Sequence, residues 1–162
     1  MKLLLTTLSI FLILININAQ DSISIRDFES LNNTQWVGTL TYKDYQSGEL
    51  INVNTTMQFF IEDNNLMSNV QYTYEPSKNY KSKIKIKNND TLFGTEQIVS
   101  FKELDGEITF ITKYRGKDNG KKADMYMTRK LTDSTFSIIK KVVYLETNES
   151  LIRNSYIFTK IE

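Results

Sequence analysis

Apolar and polar residues alternate along most of this chain, and the alternation constrains the fold more than any other feature. In the segment Tyr80 to Lys87, lysines occupy every second position on one face, while Tyr80, Ile84 and Ile86 occupy the other. A period of two places successive side chains on opposite faces of a β-strand. The pattern predicts nine strands, over Thr34–Lys43, Ile51–Ile61, Leu66–Tyr74, Tyr80–Lys87, Thr91–Phe101, Glu107–Tyr114, Ala123–Leu131, Thr135–Leu145 and Leu151–Lys160.

Short turn signals separate these strands at regular intervals. Segments such as EDNN, ELDG and GKDNG are rich in the residues that favour turns. Short connections join antiparallel neighbours, so the sequence predicts an all-β domain. Such a domain closes as a single up-and-down β-barrel of about eight to ten strands or stacks as a β-sandwich.

A short helix is predicted ahead of the first strand, and it favours the barrel over the sandwich. Ile25, Phe28 and Leu31 are three residues apart and form one apolar face. Ser24 and Asp27 have the spacing of a capping box at the start of that helix. A helix with one apolar face is well suited to fill an open end of a barrel.

The N-terminal residues MKLLLTTLSIFLILININAQ have the pattern of a signal peptide. Lys2 precedes an apolar core, and the small residue Ala19 precedes Gln20. A membrane anchor is the alternative, but Asn16 and Asn18 interrupt the run before the roughly 20 apolar residues that a span needs. The sequence predicts a signal peptide over residues 1–19, a mature domain over residues 20–162 without an integral membrane segment, and a periplasmic or extracellular location.

Charge and composition exclude several classes of function. Without Lys2, the predicted mature chain has 19 basic and 19 acidic residues, and such a neutral domain is not typical of nucleic-acid binding. The chain contains no cysteine and no histidine. It therefore lacks a disulfide framework, thiolate nucleophiles, histidine-based triads and the usual zinc ligands. We expect no cofactor and no metal site.

The segment LNNTQWVGTL, with a short helix before it, resembles the opening of the lipocalin and calycin barrels. The chain is similar to divergent bacterial exported members of that group. The resemblance implies that Trp36 covers the closed end of the barrel and that Arg153 packs across its ring. Trp36 could instead form a ligand-stacking wall. The parity of Ile152, Tyr156 and Phe158 leaves open that Arg153 lies outside the barrel wall.

A candidate ligand site follows from polar residues that share a strand face with apolar ones. Arg129 shares its face with Met125 and Met127, and Glu96 shares its face with Leu92 and Ile98. Buried charges need partners, so we expect Glu96 and Arg129 to meet each other or a ligand. The alternative is that these polar residues lie at strand ends in water. The predicted ligand-binding residues are Tyr72, Tyr74, Glu96, Phe110, Tyr114, Met127 and Arg129.

These patterns favour a binding protein for a small hydrophobic or amphipathic molecule, because apolar walls with a few convergent polar groups are typical of such sites. The alternative is a solidly packed barrel that binds a macromolecular partner through its surface. An enzyme is the third possibility and is less favoured, because no two carboxylates lie close together on a predicted inward face. The sequence leaves the oligomeric state open.

Overall fold

The computed structural model describes residues 22–87 and 89–161. The predicted signal peptide, residues 1–19, lies outside the described residues. The described chain forms one antiparallel sheet of eleven strands. The strands are β1 (Thr34–Lys43), β2 (Leu50–Glu62), β3 (Asn65–Tyr72), β4 (Tyr80–Ile84), β5 (Ile86–Lys87), β6 (Leu92–Phe93), β7 (Glu96–Leu104), β8 (Glu107–Asp118), β9 (Lys121–Leu131), β10 (Thr135–Tyr144) and β11 (Ser150–Lys160).

The sheet curls into a nearly closed barrel, which confirms the predicted fold class. Its strand order is β4-β3-β2-β1-β11-β10-β9-β8-β7-β6-β5, so each strand lies beside its neighbours in sequence and β1 pairs with β11. The two strands at the ends of this order, β4 and β5, are separated along the chain only by Lys85. One bent segment therefore pairs with β3 through its first half and with β6 through its second half.

Two of the nine predicted strands are interrupted. The predicted strand Tyr80–Lys87 bends at Lys85, and the predicted strand Thr91–Phe101 is a tight hairpin of β6 and β7. Gly94 forms this hairpin turn with a φ of +68°, in the left-handed region that glycine adopts without strain. The turn pairs Phe93 with Glu96. Phe93 is therefore on the inner face, where the sequence had placed Leu92.

The predicted N-terminal helix is present as a 3₁₀ helix, Ile25–Leu31, and it fills one end of the barrel. The backbone N–H of Ser24 donates to Asp27 Oδ2 at 2.7 Å, as the capping-box spacing predicted. Phe28 and Leu31 are fully buried against the apolar residues of the barrel. A second, short 3₁₀ helix, Pro76–Lys78, lies in the loop between β3 and β4.

Trp36 lies at the same end and is buried. Its indole Nε1 donates to Thr34 Oγ1 at 2.8 Å, and Thr34 Oγ1 donates to the carbonyl of Leu31 at 2.6 Å. The ring packs against Phe136, with 6.3 Å between ring centroids. A chain of hydrogen bonds thus connects the end of the helix to the first strand, which satisfies the indole N–H away from water.

Gly38 allows β1 and β11 to approach closely beside this cluster. A Cβ atom at this position would lie 2.1 Å from the carbonyl oxygen of Ile157 and 2.7 Å from the ring of Phe158. Phe158 is completely buried in the barrel interior. The absence of a side chain at Gly38 therefore lets the first and last strands of the chain pair in the middle of the sheet.

Candidate ligand-binding site

A cavity of about 270 Å³ lies inside the barrel. The 3₁₀ helix forms its floor through Phe28 and Leu31, and apolar side chains of the strands form most of its wall. Among the described lining residues, Tyr80 on β4 is the exposed one, at 45%. The cavity therefore opens towards solvent beside Tyr80, at the seam where β4 has no partner strand on one side.

An ion pair forms the polar part of the cavity wall. Arg129 Nη2 lies 2.9 Å from Glu96 Oε2, and Arg129 Nη1 donates to Thr112 Oγ1 at 2.7 Å. The hydroxyl of Thr112 in turn donates to Glu96 Oε2. Both charged residues line the cavity, as their shared parity with apolar residues had suggested. Glu96 and Arg129 therefore form an ion pair with each other, which is one of the two outcomes that the sequence predicted.

Two phenylalanines hold the Arg129 guanidinium in place. Its Cζ atom lies 4.8 Å from the ring centroid of Phe93 and 5.4 Å from that of Phe110. Such contacts attract a cation to the face of an aromatic ring. Burial lowers the pKa of Arg129 and the neighbouring Glu96 carboxylate raises it, but a guanidinium remains protonated in proteins. The wall therefore carries a fixed positive charge.

Glu96 retains an unused hydrogen-bond acceptor. Both of its hydrogen bonds, from Thr112 and from Arg129, end on Oε2. Within the described part of the chain, no donor contacts Oε1. A carboxylate has about four lone-pair positions. The cavity wall therefore offers a ligand an acceptor on Glu96 as well as the remaining N–H donors of Arg129.

Hydroxyl groups supply further polar positions at the cavity. The hydroxyls of Tyr72 and Tyr156 are 2.7 Å apart, and the hydroxyls of Ser68 and Ser82 are also 2.7 Å apart. Burial raises the pKa of Tyr156, and its hydrogen bond with Tyr72 raises it further. Tyr156 therefore remains neutral at physiological pH, and its hydroxyl can donate or accept a hydrogen bond.

The structure brings together part of the predicted ligand-binding set. Four predicted residues line the cavity, namely Glu96, Phe110, Met127 and Arg129. Tyr72 contacts the cavity indirectly, through its hydrogen bond with the lining residue Tyr156. The geometry is that of a small-molecule pocket, whereas a binding role for these residues stays a prediction.

Two other predicted residues lie away from the cavity. Tyr74 is 79% exposed, because β3 ends at Tyr72 and the alternation no longer applies in the turn that follows. The prediction that Tyr74 lies on the inner face with the other ligand-binding residues was therefore wrong. Tyr114 packs instead against a separate apolar cluster of Ala123, Met125 and Val142.

The predicted contact between Arg153 and Trp36 was wrong, because the two residues lie at opposite ends of the barrel. Arg153 Nη1 donates to the carbonyl of Lys43. Lys43 is seven residues after Trp36 on β1, about 23 Å away at roughly 3.3 Å per residue. The Arg153 guanidinium instead lies 4.4 Å from the ring centroid of Tyr45 and 3.6 Å from Asp118 Oδ1.

A β-bulge explains why strand parity could not place Arg153. In the pairing of β10 with β11, Lys140 is opposite Asn154 and Lys141 is opposite Ile152, so Arg153 is the extra residue. A bulge redirects side chains and reverses the parity beyond it. Ile152 is accordingly exposed, although its parity had matched that of the inward residues Tyr156 and Phe158.

Sequence reasoning missed several residues of the cavity. Phe93 was missed because residues Thr91–Phe101 were interpreted as one continuous strand, so the turn at Gly94 was not recognised. Ser68 and Ser82 were missed because small hydroxyl residues carry no strong burial signal, although they share strand faces with Leu66 and Ile84. The parity of each serine with its apolar neighbours was the available signal.

The described residues contain no group of three or more acidic, cysteine or histidine side chains that could hold a metal ion. Nor does the described part of the chain contain a helix that is both long and apolar enough to cross a membrane.

Comparison with known proteins identifies a similar fold. No family model matches the chain, and no curated protein matches it. The crystal structure of Rv2717c from M. tuberculosis is similar, with a TM-score of 0.58 and 7% sequence identity over 88% of this chain and 100% of that chain. A protein of unknown function from the DUF3598 family of Nostoc punctiforme has a TM-score of 0.40 and 10% identity, over 87% of this chain and 50% of that one. The first likeness supports the barrel fold alone.

Proposed function

We propose that this chain is an exported, lipocalin-like protein that binds a small amphipathic molecule inside its barrel. The observation that carries the proposal is the combination of an open cavity with a buried Arg129–Glu96 pair in its wall. A chain selected only for stability gains little from such a pair, because a well-packed apolar substitute is often as stable. Hydrogen bonds to a ligand would account for the presence of this ion pair in the cavity wall.

The volume of the cavity limits the size of the ligand. Drug-sized molecules occupy pockets of roughly 300 to 1,000 Å³. A dry cavity of about 150 Å³ binds benzene, which corresponds to about 25 Å³ per non-hydrogen atom. At that ratio the cavity of about 270 Å³ accommodates a molecule of about eleven non-hydrogen atoms. A small aromatic or short-chain compound fits better than a long lipid.

The distribution of polar groups sets the orientation of such a ligand. The floor at Phe28 and Leu31 is apolar, whereas Tyr80 and the Arg129–Glu96 pair lie on the open side and the wall. The apolar part of the molecule would be buried at about 25 cal/mol per Å², and its polar part would bond with the charged pair. The proposal of export rests on the signal-peptide pattern of residues 1–19.

A matched pair of substitutions on β4 tests the proposal. Ser82 lines the cavity, and Lys83 beside it is exposed on the outer face. We expect Ser82→Phe to fill the cavity and Lys83→Phe to leave it open. Protein purified without detergent would be measured by native mass spectrometry, before and after unfolding, and by calorimetric titration with small aromatic and aliphatic compounds.

The expected result is a releasable mass or measurable binding in the parent protein and in Lys83→Phe, and at least a tenfold weaker affinity in Ser82→Phe. Circular dichroism would check that both variants fold. A bare protein mass with no binding in the parent, or equal binding by both variants, would overturn the proposal and favour a barrel that works through its surface.

A further inference from the structure

The inner face of the barrel carries more positive than negative charge. Within the described strands, five charged side chains of this face are at least partly buried, namely Glu96, Asp118, Arg129, Lys140 and Arg153. Three of these are cations and two are carboxylates. The described strands therefore place one more cation than carboxylate on this face.

The excess charge can be assigned to one residue. Arg129 pairs with Glu96 at 2.9 Å, and Arg153 pairs with Asp118 at 3.6 Å. Within residues 22–87 and 89–161, Lys140 forms neither an ion pair nor a hydrogen bond through its ammonium group. Its Nζ atom lies 5.7 Å from the ring centroid of Tyr114. Lys140 is partly buried, and burial of an ammonium without an anionic partner is costly.

Lys140 does not itself line the cavity, but its neighbours on the inner face do. On β10 it lies between Ile138, which lines the cavity, and Val142, which is completely buried. On β9 its partner is Met127, another lining residue, and the partner of Ile138 is Arg129. Lys140 and Arg129 are therefore diagonal neighbours on one face, with backbones about 7 to 8 Å apart. Two long side chains at that separation can contact one small group.

We infer that the cavity selects small monocarboxylates, whose carboxylate group binds between Lys140 and Arg129. This inference rests on the proposed function and specifies the ligand class for the same cavity. A carboxylate supplies the anionic partner that Lys140 lacks, and charge-assisted hydrogen bonds to a carboxylate are about twice as strong as neutral ones. Tyr156 lines the same cavity, and its hydroxyl can donate to a carboxylate when the hydroxyl of Tyr72 is the donor in the bond between the two tyrosines.

The test compares isosteric ligands of different charge. Benzoate, 3-phenylpropionate and octanoate would each be titrated beside the corresponding primary amide, by isothermal titration calorimetry of the full protein. In the parent protein we expect each carboxylate that fits to bind at least tenfold more tightly than its amide, and we expect this preference to fall as the salt concentration rises.

Two neighbouring substitutions identify the residue responsible. Lys140→Met removes the inward ammonium, whereas Lys141→Met removes an exposed ammonium from the next position and changes the net charge equally. We expect Lys140→Met to reduce the preference for carboxylate to about threefold or less and to leave amide binding unchanged. Lys141→Met should behave like the parent. Thermal unfolding would check that both variants fold.

The outcomes separate this inference from the proposed function. Equal binding of acids and amides by the parent would overturn the anion preference and leave the binding function in place. A carboxylate preference that survives Lys140→Met, or is lost equally in Lys141→Met, would overturn the role of Lys140. Absence of binding by every acid would overturn the inference, and the Ser82→Phe experiment would then decide the binding function.

Discussion

Two of the arginine–carboxylate pairs in the described barrel involve side chains on or at the ends of its inner face, and they have the same chemistry in different surroundings. The inner pair, Arg129 with Glu96, lies in the wall of the cavity. The outer pair, Arg153 with Asp118, lies at the opposite end from the helix, beside the loop after β1. Their comparison indicates which charged residues hold the fold together and which are available to a ligand.

The outer pair is occupied by the protein itself. Tyr144 donates to Asp118 Oδ2 at 2.9 Å, Tyr45 donates to the same oxygen, and Arg153 lies near Oδ1. These contacts connect four separate parts of the chain, namely the loop after β1 and the strands β8, β10 and β11, so the pair fixes the loop that contains Tyr45. In the inner pair, by contrast, Glu96 Oε1 has no donor in the described chain. The Asp118 carboxylate, which is contacted through both of its oxygens, fixes a loop. The Glu96 carboxylate, which accepts hydrogen bonds only through Oε2, faces the cavity.

The largest expected effect follows from breaking the inner pair. Arg129→Met leaves Glu96 partly buried without its cation, and removal of one partner of a buried pair costs about 3 kcal/mol. For a domain of this size we expect the melting temperature to fall by about 10 °C. Thermal unfolding followed by circular dichroism measures the change.

A double-substitution cycle provides the control for this prediction. Glu96→Gln combined with Arg129→Met removes both charges, and we expect it to recover most of the stability lost in the single variant. Ligand binding should be lost in both. If Arg129→Met unfolds at the temperature of the parent, the inner pair contributes nothing to stability and the comparison fails.

The outer pair should give a smaller change in stability and none in binding. Arg153→Met removes one charged partner of Asp118, which retains its bonds from Tyr45 and Tyr144, so we expect a loss of about 1 kcal/mol. The amide protons of the loop after β1, residues 44–49, should exchange faster with solvent, and those of the cavity strands should not. Hydrogen exchange and calorimetric titration measure the two effects. Weaker ligand binding in Arg153→Met would contradict the assignment of this pair to the loop.

The two pairs also differ in how far the sequence could predict them. Strand parity placed Arg129 on the inner face because the pairing of β8 with β9 is regular. It placed Glu96 there because the irregularity in the pairing of β7 with β8 comes only after Ile98. The same reasoning failed for Arg153, because a one-residue bulge in β11 has no signature in the sequence. Asp118 was missed since it lies beyond the predicted end of its strand, which the structure extends from Tyr114 to Asp118.

The fold was predicted more completely than the site for a related physical reason. Every strand and turn contributes to the alternation, so an error in one strand leaves the all-β prediction intact. A site depends on single side chains, and one turn at Gly94 exchanged Leu92 for Phe93 on the inner face. The size of the cavity depends on the curvature of the sheet, which the period of two does not specify.

The smallest expected effect is an alkaline loss of stability that reports on Tyr156 beside the inner pair. Burial and the hydrogen bond with Tyr72 raise the pKa of Tyr156, whereas in the unfolded chain it ionises near pH 10. A raised native pKa stabilises the fold below about pH 10, and that stability is lost as the pH rises, because only the unfolded chain releases the proton. At pH 10.5 the loss is at most about 0.8 kcal/mol.

Tyr156→Phe isolates this contribution, and Tyr45 provides the matching position at the outer pair, where burial and the bond to Asp118 also raise the tyrosine pKa. Denaturant unfolding of the parent, Tyr156→Phe and Tyr45→Phe would be compared at pH 8.5 and pH 10.5. We expect each variant to lose less stability than the parent between these two pH values. Only Tyr156→Phe should also change ligand affinity, because Tyr156 lines the cavity and Tyr45 does not. The same change in affinity in both variants would mean that the loop and the cavity are coupled, and the two ion pairs would then belong to one functional unit.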